Sequence, residues 1–186
     1  MAAAIGSLKG PRHGGANHKV VQQLDVLKAM VTDAHDDEAV LAALEKVLNR
    51  QAGDGTGLIY GLGHAVYTKS DPRAVILRKR AKHLALEKGF EKEYDLLCAV
   101  ERLGPVAMAR FKKAKDVCAN VDLYSGFIYR MLGISEDLFT PLFAISRVPG
   151  WCAHRVEEVM FANRIMRPAY KYLGRGQEYL PLEQRA

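Results

Sequence analysis

Four clusters of polar residues stand out from an otherwise apolar sequence. The first, Gly10–Asn17, reads GPRHGGAN and carries His13 beside glycines, where a ligand could approach the backbone closely. The second, Gly61–Arg73, reads GLGHAVYTKSDPR and places His64 and Arg73 within one loop and the helix turn that follows it. An imidazole and a guanidinium this close in sequence could bind and polarise an anionic carbonyl compound.

The other two clusters supply an acid and further cations. Asp122 follows Asn120 at the expected start of a helix, where the positive end of the helix dipole favours an ionised carboxylate. Arg147 lies in an apolar segment, where an unpaired charge is costly to bury, and Arg167 precedes a proline. Each cluster also has a purely structural interpretation: a turn, a helix cap, or a salt bridge from Arg147 to Glu157 or Glu158.

The elements that position these clusters are predicted to be helices, because apolar residues recur at helical spacing along most of the chain. Asp71-Pro72 is a typical helix start and Gly89 a typical helix end. The predicted helices are Val20–Thr32, Ala39–Leu48, Pro72–Lys88, Glu91–Lys113 with an interruption at Gly104-Pro105, Val121–Leu132, Ser135–Ile145 and Gly150–Asn163. A glycine-rich loop with at most a short extended piece near Leu58–Tyr60 interrupts them, so the predicted fold class is all-α.

Composition limits the class of protein further. A chain of 186 residues is long enough for one domain, and 49% hydrophobic with 26% charged residues argues against disorder. Cys98, Cys118 and Cys152 form no CxxC pair, so we predict neither a disulfide framework nor a metal site. The same cysteine pattern fits a reducing environment, so we expect a cytoplasmic protein. The apolar runs are too short to cross a membrane, and the N-terminus shows no secretory pattern. The net charge of +6 favours polyanionic partners in general.

Five sequence blocks in one order point to a family. The sequence resembles the signature blocks of citrate synthases and 2-methylcitrate synthases at GPRHGGAN, GLGHAVYTKSDPR, CANVDLYSG, FAISRVPGWCAH and NRIMRPAYKYLG. The resemblance covers nearly the entire chain, from Ala4 to Gly174. The resemblance implies an acyltransferase of the tricarboxylic acid cycle that condenses acetyl-CoA with oxaloacetate to give citrate and CoA, without a metal or redox cofactor. Family members are about twice as long, so it also implies that the chain corresponds to the C-terminal half.

The resemblance assigns three catalytic residues. His13 would stabilise the thioester oxygen as the enol forms, His64 would bind and protonate the oxaloacetate carbonyl, and Asp122 would remove the methyl proton. A thioester α-proton is too weakly acidic for a carboxylate alone, so Asp122 and His13 would have to act together.

The resemblance also assigns binding residues. Arg73, Arg147 and Arg167 would bind the oxaloacetate carboxylates, with Arg167 reaching in from the other subunit of a homodimer. The CoA adenine would lie against the backbone of Leu58, Ile59, Tyr60, Gly61, Leu62 and Gly63.

The implied domain organisation has three parts. Residues 1–16 would end a large-domain segment, 17–122 would form the small CoA-binding domain, and 123–186 would supply C-terminal helices of the large domain. Arg12, Cys118-Ala119 and Pro149 depart from the residues that the family usually has at these positions. Three alternatives stay open: a 2-methylcitrate synthase that uses propionyl-CoA, a non-catalytic CoA-binding or interaction module, and a helical nucleic-acid binder favoured only by charge.

Overall fold

A computed structural model of the chain describes residues 2–8, 14–112, 117–161 and 181–184. Within these ranges the chain is built from α-helices, and the only strand-like pairing is an isolated antiparallel bridge between Leu62 and Ala119. The helices are α1 (Ala2–Leu8), α2 (Ala16–Met30), α3 (Asp37–Leu48), α4 (Pro72–Lys88), α5 (Glu91–Lys112), α6 (Asp122–Met131) and α7 (Phe139–Phe161). Short 3-10 turns occur at Glu136–Leu138 and Leu182–Gln184. The predicted all-α class is confirmed.

The chain divides into two compact units, Met1–Val148 and Pro149–Ala186. The first unit holds the hydrophobic core, in which α2 packs against α6, α3 against α5, and α4 against both α5 and α6. The largest fully buried side chains include Tyr124 and Phe127 of α6 and Phe139 at the start of α7. None of the described helices is both long and apolar enough to cross a membrane.

A glycine in α6 sets how closely the core helices approach each other. A Cβ atom on Gly126 would lie 2.4 Å from the carbonyl oxygen of Asn17, in the first turn of α2. Only glycine therefore lets the backbones of α2 and α6 come into contact here.

Helix ends that carry strong sequence signals form as predicted. The Asp71 carboxylate accepts from the backbone N–H of Arg73 at 2.9 Å, Pro72 follows at the first helical position, and Gly89 ends α4 at φ 75°. Asp36 caps α3 in the same way, accepting from the backbone N–H groups of Glu38 and Ala39. The limits of α4 are those that the sequence predicts.

Two predicted helix breaks are wrong. α5 continues through Gly104-Pro105, because glycine has no Cβ to clash with the proline ring that follows it. α7 likewise runs through Pro149 as one helix, although the sequence predicts two, and the boundary between the compact units falls at this proline. Helix α1 has no counterpart among the helices predicted from the sequence. The short extended piece expected near Leu58–Tyr60 does not form a strand.

Candidate active site

The loop from Leu58 to His64 is fixed to α2 by one buried side chain. Gln23 donates from Nε2 to the Leu58 carbonyl at 2.9 Å and accepts at Oε1 from the Tyr60 N–H at 3.0 Å. Because these two bonds satisfy the amide on both sides, they hold the loop backbone against the core without a strand.

The same loop lies against the first turn of α6 through a glycine. Gly61 has φ 83°, and a Cβ atom on it would lie 2.8 Å from the Leu123 Cα. Both the backbone conformation and the close approach therefore require glycine. The loop then pairs with the segment before α6: the Gly63 N–H donates to the Cys118 carbonyl at 2.8 Å, and the Asn120 N–H donates to the Gly61 carbonyl at 2.9 Å. This pairing brings the chain at His64 alongside the chain at Asp122.

The environment of His64 fixes which ring nitrogen carries the proton. Its Nδ1 accepts from the backbone N–H groups of Val66 and Tyr67 at 3.0 and 3.1 Å, so in the neutral ring the proton is on Nε2. Nε2 lies 3.2 Å from Nη2 of Arg73, so two donors face each other. Two converging donors favour an acceptor oxygen between them, such as that of a carbonyl or carboxylate.

Arg73 is held in place by a buried carboxylate. Asp71, whose side chain is fully buried, accepts from Nε at 3.0 Å and from Nη2 at 2.8 Å of the guanidinium. These hydrogen bonds hold the pKa of Asp71 below its usual value despite burial, and they raise that of Arg73. The guanidinium also lies 5.9 Å from the centre of the Tyr67 ring, and 51% of the Arg73 side chain is exposed. The result is an oriented cation that is open to a ligand.

Asp122 is a partly buried carboxylate at the start of α6. Its backbone N–H donates to Oδ1 of Asn120 at 2.9 Å. Burial raises its pKa above the ordinary value, the nearby charges of Arg73 and His64 lower it, and Asp71 raises it further. Asp122 therefore lies close enough to Arg73 and His64 for their charges to act on its ionisation, and the backbone pairing of the loop with the segment before α6 explains this proximity. A carboxylate that is desolvated in this way is a stronger base than one in water.

The remaining predicted site residues are not all within the described ranges. His13 and Arg167 lie outside them. Gly14, which follows His13, is described, and its carbonyl accepts from Oγ1 of Thr140 at 2.6 Å. Arg147 lies on α7 with its guanidinium 5.4 Å from the centre of the Phe143 ring.

The alternative role of Arg147 as an ion-pair partner has less support. Glu157 and Glu158 are paired within their own helix, with His154 at 3.7 Å and with Arg155 at 2.6 Å. Within the described residues, no ion pair involves Arg147.

Three residues around the site were missed as functional candidates in the sequence. The sequence predicts Asp71 as a helix cap, the segment Asn120–Asp122 has a helix cap as its structural interpretation, and Gln23 lies within the first predicted helix. The sequence carries no signal that these side chains also hold the site in place. That role depends on bonds that form only in the folded protein: from the Arg73 guanidinium to Asp71, from Asn120 to Gly63 and from Gln23 to the loop. In the described part of the chain, no group of three His, Cys, Asp or Glu side chains is close enough to bind a metal.

The described part of the chain is helical and holds three polar groups near one glycine-containing loop: His64 Nε2, the oriented Arg73 guanidinium and the partly buried Asp122 carboxylate. Groups of these kinds can act on a small anionic carbonyl compound. Residues 1–169 match the family model described as citrate synthase, C-terminal domain. The chain therefore belongs to the citrate synthase family.

Individual relatives agree with this assignment. The chain is 39% identical to a citrate synthase of Deinococcus radiodurans over 186 residues, which is 100% of this chain and 45% of the relative. It is 34% identical to a 2-methylcitrate synthase of Shewanella oneidensis, with 94% of this chain and 41% of the relative covered. The chain thus spans less than half the length of these relatives.

Solved structures share the fold as well. A citrate synthase from Thermoplasma acidophilum, in a ternary complex with carboxymethyl coenzyme A and oxaloacetate, matches with a TM-score of 0.69 at 34% identity. That match covers 98% of this chain and 45% of the other. The citrate synthase of Pyrobaculum aerophilum gives the same TM-score and identity, with 99% and 42% covered.

Proposed function

We propose that the chain supplies the C-terminal part of an enzyme that condenses acetyl-CoA with oxaloacetate to a citryl thioester. Water then hydrolyses the thioester bond, which gives citrate and releases CoA as the free thiol. The observation that carries the proposal is the convergence of His64, Arg73 and Asp122 around one loop. Carbon–carbon bond formation between a thioester and a ketone needs a base for the first, a proton donor for the second and cations for the carboxylates. These three residues provide one group of each kind.

Asp122 acts as the base that removes a methyl proton from the thioester. Burial raises the pKa of Asp122 above its ordinary value, so the ionised carboxylate is a stronger base than one in water. His13 donates a hydrogen bond to the thioester oxygen as negative charge develops there, so that the proton transfer is not left to the carboxylate alone.

His64 and Arg73 act on the second substrate. Nε2 of His64 and Nη2 of Arg73 lie 3.2 Å apart, so an oxygen of oxaloacetate that lies beside the pair, within hydrogen-bond distance of both nitrogens, receives hydrogen bonds from both groups. His64 polarises and protonates the ketone oxygen, while Arg73 binds a carboxylate together with Arg147 and with Arg167 of a second subunit. Holding both substrates in this arrangement lowers the entropic cost of bringing them together.

The loop that carries His64 binds CoA through its backbone. Leu58, Tyr60 and Gly61 are fixed from behind by Gln23 and by the contact with Leu123, so their remaining backbone groups are preorganised.

The wider assembly follows from the same proposal. We propose that residues 17–122 serve as the CoA-binding small domain and that 1–16 and 123–186 belong to a large domain. The active form is a homodimer in the cytoplasm.

A thiol-release assay with acetyl-CoA and oxaloacetate tests the proposal. Asp122→Ala is expected to reduce turnover by about 10²–10⁴-fold, the usual contribution of a general base. Asp137→Ala, which removes an exposed carboxylate from the 3-10 turn, is the matched control and should retain full turnover. Equal turnover in Asp122→Ala and wild type would exclude the assigned base.

Arg147 is tested in the same assay. Arg147→Ala is expected to weaken apparent oxaloacetate affinity by about 1.5–3 kcal/mol, the usual contribution of a hydrogen bond to a charged group. An unchanged KM for oxaloacetate would remove Arg147 from the binding set. Measuring kcat/KM with propionyl-CoA in place of acetyl-CoA separates citrate synthase activity from 2-methylcitrate synthase activity. The preferred substrate is expected to be favoured by about 1–3 kcal/mol, the usual discrimination of one methylene by an acyl pocket.

A second candidate function is a CoA-binding module without turnover. The observation that favours it is the loop from Leu58 to Gly63. Among the described residues, the backbone of this loop is held by Gln23 and by the contact with Leu123, without any hydrogen bond to the side chain of His64 or Arg73. It predicts an increase in melting temperature with added CoA and no thiol release on adding both substrates. Thiol release above the uncatalysed rate would exclude it.

A further inference from the structure

The side chain of Asn120 connects the two segments that carry the imidazole and the carboxylate. Its Nδ2 donates to the Gly63 carbonyl at 2.8 Å, and its Oδ1 accepts from the Asp122 N–H at 2.9 Å. Its backbone N–H adds a third bond, to the Gly61 carbonyl at 2.9 Å. All three are well within the range of direct hydrogen bonds.

The two side-chain bonds join the immediate neighbourhoods of both groups. Gly63 directly precedes His64 and has φ 94°. Because glycine has no side chain, the backbone at this position is restrained by its own hydrogen bonds, one of which is the bond from Asn120. At its other end, the turn after His64 is tied to the segment before α6 by the Cys118 thiol, which donates to the Tyr67 carbonyl at 3.3 Å. The Cys118 thiol therefore fixes only the turn after His64, whereas the Asn120 side chain bonds both to Gly63, next to His64, and to the backbone of Asp122.

An amide is the side chain suited to this position. It presents a donor and an acceptor in one rigid plane, so a single side chain satisfies a carbonyl on one side and an N–H on the other. An aspartate would keep the acceptor for the Asp122 N–H but would set a carboxylate against the Gly63 carbonyl. The interpretation of Asn120 as a simple helix cap therefore explains only one of its two side-chain bonds.

We infer that Asn120 is a positioning residue that fixes the separation between the His64 imidazole and the Asp122 carboxylate. Its catalytic meaning rests on the proposed function, in which these groups act on the two substrates that meet between them. Removing the amide leaves the backbone bonds of Gly61 and Gly63 to the segment before α6 in place, but it removes the side-chain link nearest to the two groups and so loosens their relative position. A misplacement of about 1 Å in such an arrangement can cost about 10²-fold in rate.

The first test follows the coupling in the 186-residue chain itself and needs no turnover. In the wild-type background, Asp122→Asn is expected to move the ring proton resonances of His64 in NMR spectra, because the two groups lie close enough for their charges to interact. In the Asn120→Ala background the same substitution should move them by less than half as much. Asn49→Ala removes an exposed amide at the end of α3 and should leave the effect of Asp122→Asn at its wild-type size.

The second test is kinetic. Asn120→Ala is expected to lower kcat by about 10–100-fold with KM values changed less than 3-fold, since the residue touches neither substrate in the proposal. Asn120→Asp should be impaired as well, because it keeps the cap but loses the donor to Gly63. A residue that served only as a cap would be rescued by aspartate.

The outcomes separate the two proposals. If the NMR coupling is the same in Asn120→Ala as in wild type, the positioning role is wrong whether or not the chain turns over. If wild type releases no thiol but the coupling falls in Asn120→Ala, the proposed function fails in this chain and the positioning role stands. Wild-type kcat in Asn120→Ala, or full rescue by Asn120→Asp, would overturn the positioning role directly.

Discussion

Replacing the buried carboxylate behind Arg73 with an amide should destabilise the protein in a way that depends on charge. Asp71→Asn keeps the cap on α4, because asparagine also accepts from the Arg73 N–H, but it removes the negative charge that the guanidinium binds at 2.8 and 3.0 Å. Hydrogen bonds to charged groups contribute about 1.5–3 kcal/mol each, which would suggest about 3–6 kcal/mol for two. Since half of the Arg73 side chain is exposed, solvent screening reduces this to about 2 kcal/mol.

The assay is urea denaturation at several pH values. Because the folded pKa of Asp71 is lowered, its stabilisation is complete above the unfolded value of about 3.9 and is lost as pH falls through the folded pKa. The difference in free energy of unfolding between wild type and Asp71→Asn should therefore be constant from pH 7 to pH 5 and should narrow below about pH 4.

Asp36→Asn is the matched control. Asp36 caps α3 with the same geometry but is exposed, and its recorded bonds are to two backbone N–H groups with no arginine partner. Its replacement should change the free energy of unfolding by less than about 0.5 kcal/mol. Equal losses in the two variants, or a loss in Asp71→Asn that is the same at pH 7 and pH 3.5, would refute the role assigned to the Asp71–Arg73 pair.

The remaining predictions concern Asp122, the proposed base, and the loop. Because burial raises the folded pKa of Asp122, its ionisation opposes folding as pH rises through that pKa, so Asp122→Asn should raise the free energy of unfolding at pH 7. Urea titrations at pH 4 and pH 7 should show this advantage growing with pH, and a variant less stable than wild type at pH 7 would contradict it. Gly61→Ala should cost about 3 kcal/mol, because its Cβ would meet the Leu123 backbone, whereas Gly133→Ala, with a similar φ and open space, should cost about 1 kcal/mol. Equal losses in these two variants would mean that backbone conformation alone requires the glycine at position 61.

Sequence patterns predicted most of the helices because their signals are local. The start and end of α4 follow from Asp71-Pro72 and Gly89, which act through bonds within the same few residues. Pro105 and Pro149 gave wrong breaks because the rule describes an average steric conflict, and a neighbouring glycine or a long flanking helix changes the balance.

The candidate site was predictable in its residue types but not in its supports. His64, Arg73 and Asp122 lie in recognisable blocks, and the structure brings these three into one cluster. Gln23 and Asn120 act through bonds that span 35 and 57 residues, to Leu58 and to Gly63 respectively. A single sequence gives no period or spacing that reports contacts of this kind, since they arise only when α2, the loop and α6 pack together.

The close contact at Gly126 has an electrostatic consequence. It joins the first turn of α2 to the second turn of α6, and the charge of Arg73, in the first turn of α4, acts on Asp122 at the start of α6, so α2, α4 and α6 all begin near this part of the first unit. Each helix contributes a partial positive charge of about half a unit at its N-terminal end. An anionic ligand that approached this region would therefore be attracted in part by the main chain itself. That part of the attraction would persist in a variant that lacks the Arg73 guanidinium, and added salt would weaken it.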